Sequence, residues 1–183
     1  MTTADNPDAV IAFWFTDITP KQWWGRSDEF DQLITTRFGA LHTAASRCEL
    51  FEWRTTATGR LAEVIVLDQF SRNMFRDRAE AFASDALALA LAQNAVASGA
   101  DRELAIDQRA FLYMPYMHSE SAVIHETAQT LFASLGDQDK LNFELRHKAI
   151  IDRFGRYPHR NALLGRASTP DEIAFLQTPG SSF

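Results

Sequence analysis

The chain has 183 residues, 46% of them apolar and including fourteen Phe and four Trp, which is enough for one domain with a large core. A formal charge of −6 argues against nucleic acid or an anionic membrane as its partner. The single cysteine, Cys48, excludes an intrachain disulfide and a thiolate metal cluster.

Met1 to Asp8 shows no basic stretch leading into an apolar one, so no secretory signal is expected and the chain reads as cytoplasmic. Asn6-Pro7-Asp8 is a helix start: a cap side chain, proline in the first turn, and an acid at the positive end of the dipole. Val10, Phe13 and Trp14 form that helix's inner face, and Thr19-Pro20 with Trp23-Trp24-Gly25 reads as an aromatic linker. Ser27 caps a second helix with the stripe Phe30, Ile34, Leu41, Ala45 and Cys48, which makes Cys48 a small core residue and not a nucleophile. After an interruption at Phe51 to Thr56, Thr58 is placed to cap a third helix through Leu61, Val64, Ile65 and Leu67 to about Phe75. In it Asp68, Arg72 and Arg76 fall at i, i+4 and i+8, and they share a face for as long as the helix lasts.

Ser84-Asp85 caps a fourth helix, Ala86 to Ala97, closed by Gly99 and apolar almost all round, the mark of a helix covered on most sides. Its apolar stretch is far below the ~20 residues that span a bilayer, so no membrane partner is expected. Asp107 starts a fifth helix that Pro115 bends or ends, and Ser119 or Ser121 caps a sixth with Ile124, Ala128, Leu131, Phe132 and Leu135 as its stripe and Gly136 as its stop. On the seventh, Phe143, His147, Ile150, Ile151 and Phe154 share one face up to Gly155, a residue free to take the left-handed cap. A short turn from His159 and a last helix after Thr169-Pro170 complete the chain, with residues 1–5 and 178–183 expected to be frayed. Nothing alternates as a strand does, so the fold class is all-α: one domain over residues 1–183, an irregular array of about eight helices in antiparallel pairs.

Charge is unevenly placed. Residues 140–166 carry seven basic groups against two acidic ones, in a chain that is otherwise acidic. Within them, Arg153, Arg156, His159, Arg160 and Asn161 fall close together around Tyr157-Pro158. With Arg72, Asn73 and Arg76, they form a set suited to gripping a carboxylate or phosphate, because guanidinium groups present forked donors; Asp68 would orient the arginines. Three readings stay open. The first is a binding protein for a small anionic ligand or an acidic peptide or protein segment, through these residues. The second is an enzyme on a small anionic substrate, with His118, His147 or His159 as proton carrier. The third is a structural cluster in which every arginine pairs internally, with Asp68, Asp85 or Glu120, and locks helices together. Metal binding is not expected, since there is no His-Glu-x-x-His sequence, cysteine pair or i, i+4 histidine pair, and no cofactor motif such as a glycine-rich phosphate loop is present.

Four segments, taken together, resemble a bacterial family known only as domain of unknown function 924. They are Leu67-Asp68-Gln69-Phe70-Ser71-Arg72-Asn73-Met74-Phe75-Arg76, Ala81-Phe82-Ala83-Ser84-Asp85, Phe111-Leu112-Tyr113-Met114-Pro115-Tyr116-Met117-His118-Ser119-Glu120, and His147 through Gly165. The likeness runs from about Ala9 to Leu176. It implies an all-helical, tetratricopeptide-like fold and implies no activity.

Overall fold

The computed structural model describes residues 6–182, and no strand occurs among them. Asn6 Oδ1 accepts the amide of Ala9 at 2.8 Å and starts α1 (Pro7–Ala12), which runs on into a π-helical turn over Phe13–Asp17. The expected linker is a helix instead, α2 (Pro20–Trp24), because Thr19 and Gln22 form a capping box around Pro20. Ser27 caps α3 (Asp28–Ser46) as expected. Cys48 does not join its stripe. The helix ends at Ser46, and Cys48 turns out to be exposed, in left-handed backbone at φ 60°.

Thr56, not Thr58, caps α4 (Ala57–Ile65), and its hydroxyl accepts the amide of Gly59 at 3.0 Å. Gly59 has to be glycine here: a Cβ would lie 2.0 Å from the Trp53 carbonyl oxygen, which a 3₁₀ turn over Phe51–Thr55 brings against the helix. α4 continues through a π-helical turn, Val66–Phe70, into α5 (Ser71–Met74). Leu61, Ala62, Ile65, Val66, Leu67 and Phe70 are fully buried, so this continuous rod is the centre of the core. α1, α3, α6 (Asp85–Ala97) and α7 (Ile106–Met117) all pack on it. Stacked Phe38 and Phe70 rings, 4.8 Å apart, and Trp14 edge-on to Phe111 at 5.6 Å fill the space between them.

Pro115 neither ends nor breaks α7, which runs two residues past it. At the last turn the helix loses one amide hydrogen bond and no more. α8 (Ala122–Ala133) and α9 (Gln138–Phe154) follow, and α6 to α9 pack each on the next, as antiparallel neighbours joined by short connections do. Gly136 and Gly155 adopt positive φ (68° and 69°), the stops read from sequence. Phe143, expected on the buried stripe of α9, is 46% exposed, whereas His147, Ile150 and Ile151 are buried. A 3₁₀ turn over Pro158–Arg160 leads to α10 (Pro170–Leu176), capped by Thr169 and Glu172. The expected fraying at residues 1–5 and 183 lies outside the described residues. Ser181 in the remaining tail is buried, and its hydroxyl donates to the Leu176 carbonyl.

Candidate functional site

The π-helical turn supplies the first component. Such turns are rare and recur at functional sites, because one extra residue per turn swings side chains off the regular face. All of Val66–Phe70 is buried, Asp68 included at 0% exposure. The Ser71 hydroxyl donates to the Leu67 carbonyl at 2.6 Å, and Arg72 Nη1 donates to the Asp68 carbonyl at 2.9 Å. Side chains thus satisfy the backbone the turn leaves open.

Asp68 is the hub. Its Oδ1 accepts from His118 Nδ1 at 2.8 Å and lies 3.1 Å from Arg72 Nη1, and its Oδ2 accepts from Gln69 Nε2 at 2.7 Å. Burial alone would push this carboxyl up, but Arg72, with the contacts of His118 and Gln69, holds it well below the usual carboxylate range. An ionised carboxylate only accepts, so the proton of His118 sits on Nδ1 and Nε2 carries the lone pair.

Asp85, at the first position of α6, joins the two cationic stretches of the chain. Arg72 grips it with two hydrogen bonds, 2.9 and 3.1 Å, and Arg160 Nη1 reaches the same carboxylate at 3.3 Å. The Arg160 guanidinium lies between the Phe82 and Tyr157 rings, 4.6 and 4.5 Å from their centroids. It is 7% exposed, and its Nε is buried with no hydrogen-bond partner. Burial and the neighbouring Arg72 pull its pKa down, against Asp85 and Glu120.

Tyr157 is fully buried beneath this layer, its ring 5.9 Å from that of His147, 5.6 Å from His159 and 6.4 Å from His125. Glu120 fixes the loop, accepting the Tyr157 amide at 2.7 Å and two bonds from Arg166 at 2.6 and 2.9 Å. Under Tyr157, His125 Nε2 donates to the Ser119 carbonyl at 2.9 Å and its Nδ1 meets Glu144 Oε1 at 2.7 Å. Burial raises the Glu144 carboxyl, against the hydrogen bond and charge of its histidine partner.

The layer opens on a cleft of about 380 Å³. His118, Ser119, Glu120, Asp85 and Arg160 line its polar end, and an apolar wall faces them.

The structure therefore divides the set proposed from sequence. His118 and Arg160 line the cleft, Asp68 and Arg72 hold His118 and Asp85 from behind, and His147 and His159 pack against Tyr157. Asn73 and Arg76 are taken instead by Asp31 on α3, at 2.8 Å and in a two-bond ion pair. The shared face with Asp68 lapses because α5 ends at Met74. Arg156 pairs with Glu172 at 2.6 and 2.8 Å and ties α10 down. Arg153 lies over Phe154 and Phe175, at 4.6 and 5.8 Å, beside a separate recess of about 300 Å³. Asn161 braces the loop, accepting from Arg166 Nε and donating to Ser168. Sequence reasoning missed Phe82 as a platform, Arg166 as the partner of Glu120, and the pairing of His118 with Asp68, fifty positions away. Among the described residues no group of three or more His, Cys, Asp or Glu is placed to hold a metal ion, and no helix is long and apolar enough to cross a membrane.

The histidines make the fold acid-sensitive. Burial lowers His147 to about 3 and, with Arg160, His159 to about 4; burial and Arg72 lower His118 against the pull of Asp68. Each titrates near 6.5 when unfolded, so below that pH the unfolded chain binds protons that the folded one refuses. Stability is complete above about pH 6.5 and should decline beneath it, by about 1.4 kcal/mol per pH unit for each histidine. The His147→Gln variant, whose amide can still donate to the Phe143 carbonyl, should lose less in its urea midpoint between pH 7 and pH 5 than the wild type does. Equal slopes for the two proteins would contradict this.

Residues 10–180 match the family model described as a bacterial protein of unknown function (DUF924). The chain is also similar to a solved structure, the protein of unknown function ATU0120 from Agrobacterium tumefaciens. The two are 37% identical with a TM-score of 0.89, over 93% of this chain and 96% of that one. No curated protein matches.

Proposed function

This chain belongs to the bacterial DUF924 family of unknown function, so membership brings no activity with it, and on the geometry alone we propose that it binds a small anion in the cleft. The observation that carries this reading is Arg160. A buried guanidinium normally has every N–H bonded, yet this one shares a single carboxylate with Arg72, leaves its buried Nε without a partner, and belongs to a side chain that lines a concave surface. An anion arriving there would gain a charge-assisted hydrogen bond and complete the pairing. Arg72 holds Asp85 and Asp68 in place behind it. Asn73, Arg76, Arg156 and Asn161 drop out of the ligand set, since their bonds serve the fold.

Differential scanning of the protein with acetate or inorganic phosphate, against sodium chloride of equal ionic strength, tests this. At ten times Kd the gain is about 1.4 kcal/mol, raising Tm by roughly 3–6 °C for a chain of this size. If neither anion shifts Tm at any millimolar concentration, the reading fails.

One observation supports a second reading. With Nδ1 of His118 held by Asp68, Nε2 is the ring nitrogen left for a ligand, and His118 lines the cleft. An uncharged imidazole oriented by a buried carboxylate is equipped to take a proton from a bound molecule, so the same cleft would serve an enzyme with His118 as general base.

A further inference from the structure

We propose that the anion is a carboxylate at the end of a short hydrocarbon chain, seated with its head on Arg160 and its chain along the apolar wall of the cleft. This rests on the anion reading above and assigns the ligand's class.

The wall consists of Ala79, Phe82, Ala83, Ala86, Leu89, Pro115 and Leu164. The sequence of α6 is apolar almost all round, yet only the line Ala88, Ala92 and Ala95 is fully buried in the core. Ala86 is exposed and Leu89 half-buried, and both turn towards the cleft. Single exposed apolar side chains are ordinary on a surface. Here four exposed ones, Ala79, Ala83, Ala86 and Leu164, converge with Phe82, Leu89 and Pro115 in one concavity that a guanidinium also lines, which is how amphiphilic ligands are bound: apolar area for affinity and a few polar groups for orientation.

The polar end limits the charge the ligand can carry. Asp85 and Glu120 line the cleft too, and both are already committed, Asp85 to Arg72 and Arg160 and Glu120 to Arg166. A dianion such as phosphate would face two carboxylates with one incompletely bonded cation to offset them. A flat monoanion matches the fork of a single arginine and keeps clear of both acids.

Isothermal titration of the full chain with acetate, butanoate, hexanoate and octanoate tests this. Each buried methylene should tighten binding about 3- to 4-fold until the chain outgrows the wall. The Leu89→Asn variant should show a shallower rise with chain length than the wild type. A flat series in the wild type, with acetate still bound, overturns the chain assignment and leaves the anion reading standing. Hexan-1-ol binding as tightly as hexanoate, or an undiminished rise in Leu89→Asn, overturns the assignment as well. No binding by any carboxylate or by inorganic phosphate removes both readings together.

Discussion

Replacing Asp68 by Ala is expected to cost about 3 kcal/mol of folding stability and to lower Tm by roughly 6–12 °C. Removing one member of a buried ion pair leaves the other charge desolvated, which usually costs 3–5 kcal/mol. The lower end applies because Arg72 keeps its two bonds to Asp85 when Asp68 is gone. His118 and Gln69 lose their acceptor at the same time, and Arg72 falls back on the backbone carbonyl of residue 68 and on Asp85. Asp68→Asn separates charge from hydrogen bonding, since its carbonyl oxygen can still receive His118 Nδ1–H, and its loss should be the smaller of the two. Urea unfolding at pH 7 measures both. A loss below about 1 kcal/mol in Asp68→Ala would mean that the Asp68 hub does not hold the core, and the account of the π-helical turn would fall with it.

How much of this was legible in the sequence follows from which interactions are local. Caps and stops are local: Asn6, Ser27, Gly136, Gly155 and Thr169 act within three or four residues, and each does what its type predicts. Errors arose where a local rule had two equal candidates or where tertiary contact decided. Thr56 and Thr58 are both acceptable caps, and the 3₁₀ turn that brings the Trp53 carbonyl against Gly59 selects Thr56. Cys48 satisfies the period of α3 but lies beyond its end, and no glycine or proline marks that end. The pairing of Asp31 with Arg76 spans forty-five positions and that of Asp68 with His118 fifty, distances that no pattern along a helix encodes.

The site was partly legible for a physical reason. A cluster of cations after a helix stop announces that something anionic is near, but not whether it belongs to the protein. Four of the seven basic side chains between residues 140 and 166 prove to face internal carboxylates that hold the C-terminal segment or α9, Arg156 with Glu172, Arg166 with Glu120, Lys148 with Asp152, and Lys140 with Asp107 and Asp137. Arg160 differs because its nearest carboxylate is already gripped by Arg72. One hint was available beforehand, the apolarity of α6 almost all round: Leu87, Leu91 and Val96 use it against the core, and Ala86 and Leu89 bring it to the cleft.

Arg160→Met should have effects of opposite sign on binding and on stability, and that contrast separates a ligand site from a helix lock. Anion affinity should fall by 2–5 kcal/mol, about 30-fold to several thousand-fold, the usual cost of truncating a desolvated, hydrogen-bonded charge at a binding surface. Stability should hold or improve by up to about 1 kcal/mol, because the variant removes a buried cation whose Nε has no partner while the Met side chain fills the space between Phe82 and Tyr157. Asp85 stays paired through Arg72, so no uncompensated acid is left behind. Titration calorimetry with acetate and urea unfolding on the same preparation give both numbers. If Arg160→Met unfolds several degrees below the wild type with anion affinity unchanged, Arg160 is a structural tie like Arg156 and Arg166. The cleft would then lose its cation, and a general-base role for His118 would have to stand without a clamp for the substrate.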